Sequence, residues 1–509
     1  MKGRAFALVA ATTLGGCAVG PDYQRPAPIP QSSGLFVTPT GALTRAGEAR
    51  DDWWALYDDR NIDRLVREAF AANTDLRQAI ARLAQSRAVL AEAHTQALPA
   101  TLTSGGARYR RGTITGAGAA QGITGSGLGT NPEEGSGSSG SAVSGGSGTS
   151  DVAGSSPVAQ PVYSAGFDVA YELDLFGRIR RSIEAARADA AAQAAALDYV
   201  RVTVAAETTQ AYVGACAAAE ELAVAKQSLA IARQSLALYR ARARYGALAP
   251  FDVDRVAALV EQAGAAIPPI ENQRRAALFS LALVTGKTPS QIDAAADRCT
   301  APPKLLTPIP VGDGASLIAR RPDVREAERT LAAQTARIGV ATADLYPRIS
   351  LGGSVAANGT SLANAISKQG LSFALGPLIS WTFPNTAAAH ARIAQARAQA
   401  AGALAAFDGS VLGALSETER ALSTYATEAD RNARLRAARD RQQDAYKLIE
   451  VRGRFGALSP IDVLDTERTL IQAQSDLAAS DAALVDDSVA VFRALGGGWQ
   501  SSALSSPSR

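Results

Sequence analysis

Arg244-Tyr-Gly-Ala-Leu-Ala-Pro-Phe-Asp-Val253 and Arg454-Phe-Gly-Ala-Leu-Ser-Pro-Ile-Asp-Val463 are nearly the same decapeptide, set about 210 residues apart. In each, a glycine (Gly246, Gly456) suited to ending a helix is followed by a proline (Pro250, Pro460) suited to the first turn of the next. Each also closes a long Ala/Gln/Arg-rich segment. The spacing predicts a chain built from two copies of one unit, each containing a long helix that turns back on itself.

Working outward, Arg178 to Tyr245 and Ala387 to Phe455 run without proline and are dense in strong helix formers. At 1.5 Å per residue each is about 100 Å long. Two shorter helices belong to each half: Thr74–Ala97 and Pro250–Thr285 in the first, Pro322–Leu345 and Pro460–Leu495 in the second. Stacked end to end they match the length of one long helix and can bury its apolar stripe. Pro268-Pro269 should kink the Pro250–Thr285 helix.

Two segments alternate with period two. From Tyr163 to Leu175 the odd positions are Tyr, Ala, Phe, Val, Tyr, Leu and Leu; from Leu371 to Phe383 they are Leu, Phe, Leu, Pro, Ile, Trp and Phe. Such lengths, with aromatics near the ends, match a barrel strand with one face in lipid and one in water. A half-buried strand of a soluble sheet alternates in the same way. Partner strands fall at Thr101–Arg110 and Arg348–Ala356.

Leu98-Pro99 aligns with Tyr346-Pro347 and Ile183–Arg187 with Ile393–Arg397, and the two offsets differ by about 38 residues. The surplus falls in the Gly/Ser-rich tract 112–157, too poor in apolar residues to form a core and read as an extracellular hairpin loop. Beyond the leader, no segment offers about 20 uninterrupted apolar residues, so strands rather than helices are expected to cross a bilayer. Four strands cannot close a barrel, and open sheet edges are not tolerated in lipid, so several chains must share one barrel.

At the N-terminus, Lys2 and Arg4 precede an apolar run from Ala5 to Leu14 that ends in Leu14-Gly-Gly-Cys17. This resembles a secretory signal with a bacterial lipobox: residues 1–16 are the signal peptide, and Cys17 becomes the lipidated first residue. Ala18 in place of Asp favours the outer membrane. Cys216, set among alanines in a helical pattern, reads as a small buried apolar residue; pairing with Cys299 requires a distance that sequence does not supply.

Composition excludes several classes. The 509-residue chain is 47% hydrophobic with a formal net charge of +3, and its cations are dispersed among nearly as many acids, which gives no support for nucleic-acid binding. Two histidines (His94, His390), three cysteines and a single methionine leave no metal site and no Cys/His nucleophile pair. No cofactor, metal or catalytic residue is expected.

Taken together the residues resemble the TolC-like outer-membrane efflux channels, in particular the NodT-type lipoproteins of resistance-nodulation-division (RND) systems. The matching fragments are Cys17-Ala-Val-Gly-Pro-Asp-Tyr-Gln-Arg-Pro26, Trp53-Trp54, the Asn73-to-Ala88 segment and Tyr171-Glu-Leu-Asp-Leu-Phe-Gly-Arg178. Arg321-Pro-Asp-Val-Arg-Glu-Ala-Glu328, Leu345-Tyr-Pro-Arg-Ile-Ser350 and both decapeptides complete the set. The resemblance implies a mainly α fold with a β-barrel part: a homotrimer whose 12-stranded outer-membrane β-barrel continues as a periplasmic α-helical barrel. It also implies a passive duct coupled through a periplasmic adaptor to an inner-membrane RND pump. Two departures stand out: the Gly/Ser tract is long, and Phe383-Pro-Asn-Thr386 replaces the usual Gly-rich turn after the fourth strand.

On this reading residues 17–72 form the lipidated N-terminal segment and equatorial part, 73–286 the first repeat and 287–320 a Pro-rich equatorial linker. Residues 321–496 form the second repeat and 497–509 a C-terminal tail. The resemblance places a periplasmic aperture at Asp252, Arg454, Ile461, Asp462, Asp465 and Arg468. Asp462 and Asp465 share a helix face, and threefold symmetry turns each into a carboxylate ring. At about 6 Å and an effective dielectric of 20, each like pair costs roughly 3 kcal/mol. Asp462 is also the third residue of a helix whose first is Pro460, so a capping role stands beside the gating one. Gly246, Leu248, Gly456 and Leu458 look like tips that dock the adaptor. A duct for type I protein secretion and a structural envelope lipoprotein are the alternative readings.

Overall fold

A computed structural model of the chain describes residues 18–112, 158–246, 248–454 and 460–498, apart from positions 28, 31, 39, 40, 46, 48, 49 and 58. Cys17, the Gly/Ser tract after Gly112, Gly456 and Leu458 therefore lie outside the described residues. The helices are α1 (Arg60–Ala72), α2 (Thr74–Thr95), α3 (Arg178–Arg244), α4 (Pro250–Ala265), α5 (Ile267–Val284), α6 (Ala294–Asp297), α7 (Gly314–Arg320), α8 (Pro322–Ala343), α9 (Leu362–Ala365), α10 (Ala387–Arg454) and α11 (Pro460–Ala494). The strands are β1 (Thr44–Arg45), β2 (Ala100–Gly112), β3 (Val158–Leu173), β4 (Ile309–Pro310), β5 (Arg348–Gly359) and β6 (Leu371–Ser380). The chain divides into two compact units, a sheet unit (Thr95–Leu175 and Pro347–Thr382) and a helical unit made of the remainder.

In the helical unit the two long helices run 67 and 68 residues unbroken, as the proline-free segments predict. By length and mean hydropathy (1.2) α10 is apolar enough to cross a membrane. It passes on its alanine and glycine content, and still offers no run of about 20 uninterrupted apolar residues. α4 and α5 pack on α3; α8 and α11 lie between α3 and α10 and touch both. The short helices of the second half thus serve both long helices rather than one. The predicted kink becomes a break: the helix stops at Ala265 and restarts at Ile267, with Pro268 and Pro269 in the first turn of α5. Proline is tolerated there because first-turn N–H groups have no intrahelical acceptor. α2 leans on α3 through Leu76, Ala79 and Leu83 against Leu197, and leaves Ile80 and Val89 exposed.

One core gathers segments distant in sequence. Trp53, fully buried, stacks on Phe492 of α11 at 4.9 Å between ring centroids, and Trp54 and Tyr57 stand edge-on to it. Around them sit Ile62, Leu65, Tyr212, Leu281, Leu422 and Leu495. The linker closes over this core: β1 pairs with β4 in parallel, Tyr57 bridges Leu305, and Leu306 N donates to Leu56 O. Cys216 of α3 is bonded to Cys299 of the linker, with Cα atoms 5.1 Å apart. Cys216 is buried, as the sequence favours, and the pairing with Cys299 that the sequence leaves open is made.

The sheet unit is a four-stranded antiparallel sheet in the order β2-β3-β5-β6. Its register sorts the alternation onto two faces. Phe167 stands opposite Val355 and Val355 opposite Phe373; Tyr171, Leu351 and Pro377 form a second row, and Leu173, Ile349 and Ile379 a third. The other face carries Asp168 opposite Ser354 and Glu172 opposite Ser350. Phe373, Leu375 and Ile379 are largely exposed on the apolar face. β3 begins at Val158, earlier than the alternation suggested, and β6 ends at Ser380, so Trp381 and Phe383 lie beyond it.

Candidate functional site: the helical hairpin ends

The two decapeptides lie at the ends of two antiparallel helix pairs, α3/α4 and α10/α11. At the first, α3 stops at Arg244, Gly246 takes a left-handed φ of +74°, and Pro250 opens α4. The glycine is required there because a side chain at positive φ is strained. Gly246 is open to solvent, and a Cβ on it would meet nothing within 4 Å. Leu248 folds inward on a small core of Ala232, Leu236, Tyr239, Val256 and Val260. The exposed apolar groups of this tip are instead Tyr245, 90% exposed, and Phe251, over whose ring Arg255 lies. Asp252 sits half-buried in the first turn of α4.

At the second tip, Arg454 ends α10 and Ile461 follows Pro460 in α11; their side chains, with Gly456 and Leu458, lie outside the described residues. Asp462, Asp465 and Arg468 are all exposed on α11 and make no ion pair among the described residues. Asp462 is in the first turn, and its backbone carbonyl accepts from Thr466 Oγ1 at 2.8 Å. The structure therefore places the two acids on one accessible face of α11, in no ion pair among the described residues.

A residue that the sequence reading passed over lies between them and the first hairpin. Glu467 of α11 is only 3% exposed, and its carboxylate accepts from Ser235 Oγ of α3 at 2.8 Å. Burial holds its carboxyl above the ordinary range, with the Ser235 bond pulling the other way. Tyr239, one turn further along α3, is buried with its hydroxyl unpartnered among the described residues, and burial pushes it up to about 12. The sequence does carry a signal for Glu467: it shares a helical stripe with Val463, Leu470 and Leu477, an acid where apolar residues belong.

At the other end of α3, Arg181 is a buried arginine that holds the first described residues of the chain. It donates to Val19 O, Gly20 O, Asp22 and Glu184, and Val19 N donates to Phe176 O. Further along, Tyr23 donates to Glu328, and Glu419 accepts from Val37 N and Thr38 N. The segment just after Cys17 is thus strapped along the helices.

The sequence profile of the outer membrane efflux proteins matches residues 65–287 and 315–497, spans that take in the expected repeats 73–286 and 321–496. The chain belongs to the outer membrane efflux protein family. Outer membrane protein OprJ of Pseudomonas aeruginosa is 31% identical to it over 508 residues, covering 97% of this chain and 95% of the relative. Nodulation protein T of Rhizobium leguminosarum bv. viciae is 27% identical, covering 99% and 95%. Among solved structures, the outer-membrane channel OprN superposes with a TM-score of 0.81 at 30% identity, covering 95% of this chain and all of that one. The chain is an outer-membrane efflux channel of the NodT type with the TolC-like fold. Its relatives are efflux channels and not enzymes.

Proposed function

We propose that this channel is a homotrimeric duct, joined through a periplasmic adaptor to an inner-membrane RND pump, that passes small solutes outward without catalysing any reaction. The observation that carries the reading is that both units have two unlike, unpaired flanks. In the sheet, β2 and β6 each pair on one side only among the described residues. Among the long helices, α4 and α5 flank α3 on one side and α10 lies at the other, with Leu404, Leu412, Leu448 and Val451 exposed on α10. A chain with two different open flanks joins copies head to tail and closes into a ring, which removes every edge. Three copies give the twelve strands that the resemblance implies.

Cys17 is the proposed lipid-anchor site. The strap that follows it supports this, because its contacts begin at Ala18 against Gly177. The Cys216–Cys299 bond suits an oxidising compartment such as the periplasm. Asp462 and Asp465 are the proposed aperture acids, with Asp252, Arg454, Ile461 and Arg468 beside them; Gly246, Leu248, Gly456 and Leu458 are the proposed docking tips. Reconstitution into planar bilayers tests the duct: discrete conductance steps are expected, and a silent bilayer with folded protein present would remove the reading.

A further inference from the structure

We propose that Glu467 is a proton-operated latch, which holds the α10/α11 hairpin against the α3/α4 hairpin while its carboxyl group is protonated and loosens it once charged. This rests on the duct reading above for its consequence, and on local geometry for its mechanism. The Ser235–Glu467 bond joins the two hairpins close to the end where α11 begins, on the same turns that carry Asp462 and Asp465. It is made by a carboxyl group that is almost wholly out of water.

Buried carboxylates are ordinarily paired with a cation, since an unpaired buried charge is strongly unfavourable. Here Ser235 is the partner. The charged groups around the joint do not take that place. On α3 and α4, Arg242, Asp252 and Arg255 act on Tyr239, and Arg255 lies over Phe251. α10 passes at Gln442, which accepts from Thr469; beyond it Asp444 pairs with Lys447, and Glu450 has contacts of its own. On α11 itself, Asp465 and Arg468 point to solvent. A serine hydroxyl can donate to a carboxylate or accept from a carboxylic acid, so the bond survives in either state. What changes is the cost of burial.

The sign follows. With the hairpins packed, burial raises the carboxyl above its ordinary value of 4.5. With the hairpins apart it meets water and titrates normally. Below the ordinary value both arrangements are protonated and the latch is at full strength. As pH rises from there to the raised value, only the loosened arrangement sheds its proton, and the packed one is progressively disfavoured. Above the raised value the effect levels off. Each pH unit inside the window shifts the packed-to-loosened ratio by at most about tenfold.

The test measures KCl conductance of the reconstituted full-length protein across the acid-to-neutral range, for the wild type, Glu467→Gln, and the double variant Asp462→Asn/Asp465→Asn. Wild-type conductance should rise with pH. Glu467→Gln, whose neutral amide is buried at little cost at any pH, should stay low and flat. The double variant should keep the rise, because its substitutions leave the joint intact. A Glu467→Gln profile that tracks the wild type overturns the proposal, as does a rise that vanishes in the double variant and persists in Glu467→Gln. Hydrogen exchange of the amides from Val463 to Leu470 reads the joint without conductance. Protection should fall with pH in the wild type and hold in Glu467→Gln, and equal loss in both overturns the latch. Exchange that behaves as expected in a protein that conducts at no pH would sink the duct reading alone.

Discussion

Gly20 meets Gly339 of α8 backbone to backbone: a Cβ on Gly20 would lie 2.4 Å from the Gly339 Cα, and one on Gly339 would lie 2.8 Å from the Arg181 side chain. The missing side chain of Gly20 lets the two backbones meet, and that of Gly339 leaves room for the stem of Arg181, whose guanidinium is buried. That guanidinium in turn saturates the carbonyls of Val19 and Gly20 and the carboxylate of Asp22.

Gly339→Ala should therefore displace Arg181 and free the strap. Overpacking of this kind costs about 1–3 kcal/mol. Limited chymotrypsin digestion should cut after Tyr23 in the variant and not in the wild type, with helix content unchanged. A strap equally protected in both would contradict the clamp.

The Cys216–Cys299 bond closes a loop across a sequence separation of 83 residues. On chain-entropy grounds a loop of this size contributes about 4–5 kcal/mol. Replacing both cysteines by serine should lower the melting temperature, and a reductant should lower that of the wild type to the same level. Unchanged melting after confirmed loss of the bond would show that the linker is held by β1–β4 pairing and the aromatic core instead.

Trp53→Ala removes the ring that stacks on Phe492 at the centre of the core. A loss of about 3–5 kcal/mol is expected, visible as a lower melting temperature and as protease cleavage near the linker. Phe492→Ala should cause a similar loss, and the two together less than the sum, because they share one contact.

The tips separate two roles. Leu248→Glu places a charge in the hairpin's own core, so it should loosen the tip and reduce adaptor crosslinking together. Tyr245→Glu leaves that core untouched and should reduce crosslinking alone. Crosslinking that survives Tyr245→Glu would exclude this exposed ring from the docking surface.

Asp465→Ala removes one exposed carboxylate from each chain of the proposed ring. Closed-state conductance should rise if the ring restrains the aperture. An unchanged conductance from an intact assembly would leave Asp465 a solvated surface residue.

Much of this architecture is legible in the residues because it is local. Helix lengths follow from proline-free segments, helix ends from Gly246 and Pro250, and strand faces from period-two alternation. What sequence did not reveal depends on remote partners. Cys216 reads as a small buried apolar residue because its neighbours are alanines; only the fold brings Cys299 to it. Glu467 was overshadowed by Asp462 and Asp465, which fit a symmetric ring, although its place on an apolar stripe marked it. Leu248 looked like a docking residue from its position in the turn, while Val256 and Val260 of α4 draw it inward. Pro268 and Pro269 were read as a kink because local rules do not decide between bending a helix and restarting it.

In the proposed ring each chain supplies a third of the wall. Native mass spectrometry of the detergent-solubilised protein measures this most directly. Three chains per particle are predicted; a monodisperse particle holding one folded chain would contradict the account.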